Sequence, residues 1–224
     1  MELTPRMKHS IATARDAAAQ SIVLLKNTEN TLPLVSDTPF PIALFGVGQI
    51  RTVRGGTGSG EVNILKELCL LDALQESEAL VPDALLARKY RSWCLAHKDA
   101  TKGSFMGPSQ HYNDEMPLDE LDWDYLTENA QAALMVISRV AGEGADMEYG
   151  PGTLALTEAE NAMIQAVTAR FDRTVLILNT PGYVELADVL PKVGAVLFLG
   201  LPGQEGGRAG RHPHRRSLSL RPSV

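Results

Sequence analysis

Four short runs of apolar residues, each closed by glycine, proline or a polar residue, constrain the fold of this chain most strongly. They lie at residues 41–47, 132–138, 174–179 and 195–199. Runs of roughly five to seven residues fit buried strands better than buried helices. Because these runs are continuous rather than alternating, they are typical of strands that are covered on both faces, as in a parallel sheet.

Five segments with helical periodicity accompany these strands. They lie at residues 12–25, 64–75, 83–96, 118–130 and 157–170. The last segment opens with Thr157, and Glu160 follows three residues later, a combination that predicts a capped helix start. Alternating strands and helices predict an α/β fold with a mainly parallel sheet flanked by helices. Ligands of such a sheet bind at the loops that follow the carboxyl ends of its strands.

The composition is that of a soluble globular domain with one core, since 44% of the 224 residues are hydrophobic and 21% are charged. The formal net charge of -6 gives no general attraction to nucleic acid or to a membrane surface, so neither is expected as a partner. No apolar stretch has the length of a signal peptide or of a membrane span, and we expect a cytoplasmic protein. Cys69 and Cys94 are expected to be buried free thiols.

A glycine-rich loop at residues 46–60 follows the first predicted strand. Its last six residues, Gly-Gly-Thr-Gly-Ser-Gly, would let backbone N–H groups approach a ligand closely. No lysine follows the last glycine, and Arg51 occupies the position of the third glycine of a dinucleotide fingerprint, so neither nucleotide motif is complete. We predict that Gly56, Thr57 and Ser59 line a ligand pocket. A plain turn and a Rossmann-type nucleotide site are the alternatives.

A carboxylate between two glycines follows the strand predicted at residues 132–138. Glu143 is thereby placed on a backbone-exposed loop at the ligand edge, where a general acid is needed. Such an acid requires a raised pKa, which partial burial or the neighbouring carboxylate of Asp146 would supply. The alternative is an ordinary solvated loop acid.

Arg139, at the end of the same strand, has two interpretations. Its fork of donors would orient a carboxylate or a sugar hydroxyl. Alternatively, it forms an ion pair with Asp146 or Glu148.

Neither the histidines nor the large aromatic residues indicate a further site. His9, His97 and His111 are scattered along the chain, with no two at metal-ligand spacing, so no metal and no cofactor is expected. Three aromatic residues on helical patterns are expected in the core rather than as sugar platforms: Trp93, Trp123 and Tyr125.

Six motifs occur in one order along the chain. They are a helical segment at 14–27, Thr-Leu-Pro-Leu at 31–34, the glycine run at 55–60, Ile-Ser-Arg-Val-Ala-Gly-Glu-Gly-Ala-Asp at 137–146, Leu-Ala-Leu-Thr at 154–157 and Pro-Gly-Gln-Glu-Gly-Gly at 202–207. In this order they resemble the C-terminal-type α/β sandwich domain of glycoside hydrolase family three, the family of many β-glucosidases. We expect residues 1–207 to form this domain, incomplete at its C-terminal end.

The resemblance implies a retaining glycosidase with a carbohydrate substrate. Its active site would lie between this sandwich and a (β/α)8 barrel, normally in the same polypeptide, that supplies an aspartate nucleophile. Glu143 matches the glutamate that acts as acid/base in this family, and Arg139 and Asp146 would set its position and charge. A retaining mechanism needs two carboxyl groups ~5–5.5 Å apart, and no barrel segment occurs in this chain. The isolated chain is therefore expected to be inactive. The alternative is a catalytically inert sugar-binding or interaction fragment.

The resemblance ends after Arg208 and Ala209. Residues 208–224 contain five arginines and no acid, and a segment of this composition cannot bury enough apolar surface to fold. We expect a basic, disordered tail that arises from a truncated or frame-shifted end. A nucleic-acid-binding arm is the alternative.

Overall fold

One six-stranded sheet forms the centre of the computed structural model, which describes residues 3–57, 68–77, 79–98, 113–142 and 147–203. The strands are β1 Val23–Asn27, β2 Phe40–Phe45, β3 Leu80–Pro82, β4 Ala132–Ser138, β5 Thr174–Asn179 and β6 Ala195–Phe198. Their order across the sheet is β1-β6-β5-β4-β2-β3, and all neighbours are parallel except β1 and β6. The predicted mainly parallel α/β sheet is confirmed.

Helices cover both faces of this sheet. Four helices of the described ranges do so: α2 Leu70–Gln75, α3 Ala84–Ala96, α4 Trp123–Asn129 and α5 Glu158–Thr168. A further helix, α1 Pro5–Ser21, precedes β1 and is mostly exposed. Alternate residues of β4 point to opposite faces, so Met135 and Ile137 join a core with α3, α4 and α5, whereas Leu134 and Val136 join a core with α2. None of the helices in these ranges is long and apolar enough to cross a bilayer.

The four strands predicted from apolar runs are all present. β4 and β5 have the predicted limits, and the limits of β2 and β6 differ from prediction by no more than two residues. Every residue of β4 and of β5 is buried. Continuous apolar runs predict these strands well because helices cover them on both sides.

The helix predicted at residues 12–25 is wrong in its last part. Helix α1 ends at Ser21, and the chain then forms β1, in which Val23 lies opposite Phe198 of β6. The apolar residues 22–25 fit either a helix face or a strand. In the structure Val23 and Leu25 are exposed while Leu24 packs against the core, which is the alternation of a half-buried edge strand.

The start of α5 follows the predicted capping pattern. The hydroxyl of Thr157 accepts a hydrogen bond from the backbone N–H of Glu160 at 3.1 Å, and the carboxylate of Glu160 accepts one from the backbone N–H of Thr157 at 2.8 Å. Both partners thereby satisfy N–H groups that the first helical turn leaves unpaired. Asp83 caps α3 in a similar way, through the N–H of Leu86. The predicted limits of α3 and α5 therefore agree closely with the structure.

The chain leaves β2 through glycines that lie directly against the end of β4. Gly46 has a φ of 93°, and a side chain there would clash with the carbonyl oxygen of Val136. A side chain at Gly48 would clash with the hydroxyl of Ser138. The glycine-rich loop is therefore held close to the carboxyl end of the neighbouring strand.

Gly46→Ala should lower the free energy of unfolding by about 2 kcal/mol or more, because alanine disfavours a positive φ and its Cβ would meet the Val136 carbonyl. Gly55→Ala is the matched control, since Gly55 is exposed and, among the described residues beyond its chain neighbours, no atom lies within 4 Å of a Cβ there. We expect the control to stay within about 0.5 kcal/mol of the wild type. Urea unfolding measures both, and equal stability of the two variants would contradict the prediction.

Candidate active site

The loops that follow β2 and β4 meet at the carboxyl edge of the sheet. Thr57 and Gly142 form an isolated parallel bridge, and the backbone N–H of Thr57 donates to the carbonyl oxygen of Ala141 at 3.4 Å. A side chain at Gly142 would meet the Thr57 hydroxyl, so this close approach favours glycine. A Cβ at Gly56 would lie 3.8 Å from the same Ala141 oxygen. Two predicted pocket residues, Gly56 and Thr57, therefore lie beside the residue that precedes Glu143.

Three predicted site residues, Ser59, Glu143 and Asp146, lie outside the residues that the structure describes. The same holds for residues 204–224, which include the predicted basic tail. The roles assigned to these residues stay predictions.

The side chain of Asn179 joins three parts of the carboxyl edge. Its Oδ1 accepts from the N–H of Val53 at 2.7 Å and from the hydroxyl of Ser138 at 3.1 Å. Its Nδ2 donates to the carbonyl oxygens of Val53 at 2.7 Å and Gly200 at 2.8 Å. Asn179 is fully buried, so these bonds satisfy an amide that has no access to water. The amide thus fixes the glycine-rich loop to the ends of β4 and β5 and to the segment after β6.

Arg139 forms a buried ion pair with Glu160. The predicted alternative of a pair with Glu148 is therefore wrong, whereas Asp146, the other acid predicted as a partner, lies outside the described residues. The two contacts are Nη1 to Oε1 at 2.7 Å and Nη2 to Oε2 at 2.8 Å, a bidentate geometry in which both side chains are 1% exposed. Sequence proximity favoured the nearby acids. The start of α5 instead brings Glu160 over the end of β4.

The remaining donors of Arg139 bind backbone carbonyl groups. Nε donates to Thr153 at 2.7 Å, Nη1 to Ser138 at 2.9 Å and Nη2 to Ala155 at 3.1 Å. Together with the two bonds to Glu160, these contacts use every N–H of the guanidinium. Of the two predicted partners of its fork, the structure shows a carboxylate, that of Glu160, and leaves no donor of Arg139 for a sugar hydroxyl. The role of Arg139 in the site is therefore structural.

Glu115 is a second buried carboxyl group, next to the start of the glycine-rich loop. Its two oxygens accept from the backbone N–H of Val47 at 3.0 and 3.1 Å. Burial raises the pKa of Glu115 to about 8, and the Glu160 carboxylate adds to the rise, while the Val47 N–H and the charge of Arg51 oppose it. Glu115 is therefore mostly protonated near neutral pH.

The two cysteines are buried and free, as predicted. Burial raises the pKa of both Cys69 and Cys94 to about 11, so neither is a thiolate nucleophile near neutral pH. Trp93, Trp123 and Tyr125 pack against the core, also as predicted. In the part of the chain that the structure describes, no three His, Cys, Asp or Glu side chains come together in a way that would hold a metal ion.

Sequence reasoning missed the roles of Glu115, Asn179 and Glu160. Asn179 could have been noticed as the polar last residue of an otherwise apolar run. Glu160 was recognised only as a helix-capping residue. No local pattern marks Glu115.

Comparison with known proteins agrees with this architecture. The glycosyl hydrolase family 3 C-terminal domain matches residues 22–211. The chain belongs to this family. A β-glucosidase from Ruminococcus albus is 30% identical over 196 residues, or 87% of this chain. The structure of β-glucosidase 3B from Thermotoga neapolitana in complex with glucose has a TM-score of 0.77 at 28% identity over 92% of the chain. A β-glucosidase structure from Paenibacillus barengoltzii has a TM-score of 0.78 at 29% identity over 89%.

This family 3 chain spans only a fraction of these relatives. It covers 20% of the Ruminococcus protein, 29% of the Thermotoga chain and 22% of the Paenibacillus chain. The resemblance to the C-terminal-type sandwich domain of the family is confirmed.

Glu160→Gln should destabilise this family 3 domain by about 3–5 kcal/mol, because the guanidinium of Arg139 would stay buried without a countercharge. The control is Arg91→Gln, which breaks an ion pair between Arg91 and Asp72 whose side chains are 43% and 33% exposed. That change should cost less than about 1 kcal/mol. Urea unfolding measures both variants. If each loses less than about 1 kcal/mol of unfolding free energy, the buried pair stabilises the domain no more than the exposed pair does.

The raised pKa of Glu115 gives the stability a pH dependence of known sign. The folded state holds the proton more tightly than the unfolded state, so stability falls as pH rises from the ordinary pKa of 4.5 to about 8. One pKa unit corresponds to about 1.4 kcal/mol, so the total loss should reach a few kcal/mol.

Glu115→Gln should flatten this decline, because it removes the titrating group. The matched control is Glu128→Gln, which changes an exposed acid on α4. The measurement is chemical unfolding at several pH values between 5 and 8. An unchanged slope in Glu115→Gln would assign the pH dependence to other groups.

Proposed function

We propose that this domain works in a retaining hydrolase of β-glucoside-like bonds, with Glu143 as general acid/base. The bridge between Thr57 and Gly142 carries the proposal, because it ties the glycine-rich loop to the residue directly before Glu143. Both loops lie at the carboxyl edge of the sheet, where ligands of parallel sheets bind. The substrate class is supported by the names of the relatives, which are β-glucosidases.

In this mechanism the acid/base acts twice. Glu143 first donates a proton to the glycosidic oxygen while an aspartate attacks the anomeric carbon and the glycosidic bond breaks. It then takes a proton from the water that hydrolyses the resulting glycosyl ester, which restores both carboxyl groups. The aspartate would belong to a (β/α)8 barrel outside this chain, normally in the same polypeptide.

The pKa of Glu143 must be high enough for it to hold a proton at the start of this cycle. We propose that the carboxylate of Asp146 raises that pKa by like-charge repulsion. Gly56, Thr57 and Ser59 would form the adjacent wall of the pocket.

The described residues around this loop supply rigidity rather than chemistry. The Arg139–Glu160 pair fixes the end of β4, and the amide of Asn179 fixes the glycine-rich loop. A site held by buried groups does not have to be organised again when the substrate binds.

A complementation assay tests the proposed function. This chain is mixed with the separately produced part of the Ruminococcus albus β-glucosidase that lies outside the matched region, and hydrolysis of cellobiose and of p-nitrophenyl β-glucoside is followed. We expect activity only in the mixture. Glu143→Gln should lower kcat on cellobiose by about 10²–10⁴. The loss on p-nitrophenyl β-glucoside should be smaller, because nitrophenolate leaves without protonation.

Glu148→Gln is the control, since it changes an exposed acid on the same loop and should leave kcat unchanged. Full activity of the Glu143→Gln mixture would refute the acid/base assignment. Turnover by the chain alone would refute the need for a barrel. One other candidate is an inert sugar-binding fragment, and a mixture that binds sugar without hydrolysing it would support that candidate.

A further inference from the structure

Two tyrosine side chains extend into solvent at the carboxyl edge of the sheet. Tyr149 is 73% exposed and Tyr183 is 62% exposed. All other aromatic side chains in the described ranges are buried or half-buried. A tyrosine ring is a large apolar surface with a polar tip, and it contributes most to binding when a partner covers it. Two exposed rings at the edge of the sheet where ligands bind therefore indicate a binding surface.

The two tyrosines lie on loops that follow adjacent strands. Tyr149 comes after β4 and Tyr183 comes after β5, and the N–H of Glu185 connects the two loops by donating to the carbonyl oxygen of Leu154 at 2.7 Å. Because β4 lies between β2 and β5, its carboxyl end has the glycine-rich loop on one side and the loop of Tyr183 on the other. Tyr149 therefore lies on the loop that also carries Glu143, and Tyr183 lies on the loop next to it.

A fixed carboxylate accompanies the rings. The hydroxyl of Tyr183 donates to Glu185 Oε2 at 2.6 Å, and the N–H of Ala187 donates to Glu185 Oε1 at 3.1 Å. The Tyr183 hydrogen bond lowers the pKa of Glu185, and the Ala187 bond adds to the decrease. The same contact with Glu185 raises the pKa of Tyr183, and the nearby Tyr149 adds to that increase. Glu185 is thus an ionised acceptor with lone pairs remaining on both oxygens.

We propose that Tyr149, Tyr183 and Glu185 form a carbohydrate-binding surface for one pyranose ring of a β-linked gluco-oligosaccharide. A pyranose whose hydroxyls are equatorial has flat C–H faces that stack on aromatic rings. Its hydroxyls donate to a carboxylate at the edge of those rings. The ligand is taken to be the substrate of the proposed hydrolase, and to that extent the inference rests on the proposed function. Sugar binding itself is measured without catalysis.

Titration of the complete 224-residue chain with cellotriose, followed by NMR, tests the surface. In the wild type we expect the ring signals of both tyrosines to shift on titration. The double change Tyr149→Ala with Tyr183→Ala should weaken binding at least tenfold, and Glu185→Gln should weaken it several-fold. Leu95→Ala is the matched control, since Leu95 is 72% exposed on α3, an element that carries none of the proposed binding residues, and it should bind as the wild type does. All changed residues are solvent-accessible, so unfolding temperatures should agree.

The outcomes separate this inference from the proposed function. If the tyrosine signals of the wild type do not shift, or if the double variant binds cellotriose as tightly as the wild type, the proposed sugar-binding surface is refuted. A double variant that binds cellotriose normally but fails to restore activity in the mixture would also overturn it, because the tyrosines would then contact the rest of the enzyme. Glu143→Gln should keep cellotriose binding. Binding that depends on the tyrosines, together with activity that does not depend on Glu143, would refute only the proposed function.

Discussion

The guanidinium of Arg139 fixes the path of the chain after β4 through its hydrogen bonds to residues 153–160. A charge this deeply buried is tolerated only when every donor is satisfied, and Glu160 with three carbonyl groups meets that condition. Arg139 stands at the start of the loop, and the carbonyls of Thr153 and Ala155 stand at its end. One side chain therefore closes the loop on itself. The entropy cost of closure is met when the domain folds rather than when a ligand arrives.

Buried side chains that bond to the backbone also restrain the glycine-rich loop, although these side chains carry less charge than the Arg139–Glu160 pair. Near its start the N–H of Val47 is held by Glu115, and further along both backbone groups of Val53 are held by Asn179. Neither anchor is on the loop itself. Between the second anchor and the bridge at Thr57, Gly55 is exposed. The described part of the loop thus combines fixed points at Val47, Val53 and Thr57 with an exposed residue, Gly55, between them, which is the arrangement that a binding wall needs.

Local sequence patterns predicted the parts of the fold that depend on local chemistry. The runs that became β4 and β5, and the cap formed by Thr157 and Glu160, need only burial and a nearby N–H group. The β1 strand was missed because residues 22–25 satisfy two periods, and pairing with β6 decides between them. The partner of Arg139 was missed for the same reason. Contacts between residues far apart in sequence follow from the three-dimensional fold, and no spacing rule contains them.

The pairing of β1 with β6 also bears on how this sheet is assembled. The first strand of the chain, with Val23 and Leu25 outward, has its only described neighbour in residues 195–198. During synthesis it must wait for nearly all of the domain before it gains a partner. Long-range pairing of this kind is slow and leaves a strand edge open in the meantime. Within this domain, the strand that is synthesised first therefore gains its partner from the strand that is synthesised last. Until then, the unpaired edge of that strand is open to exchange with another copy.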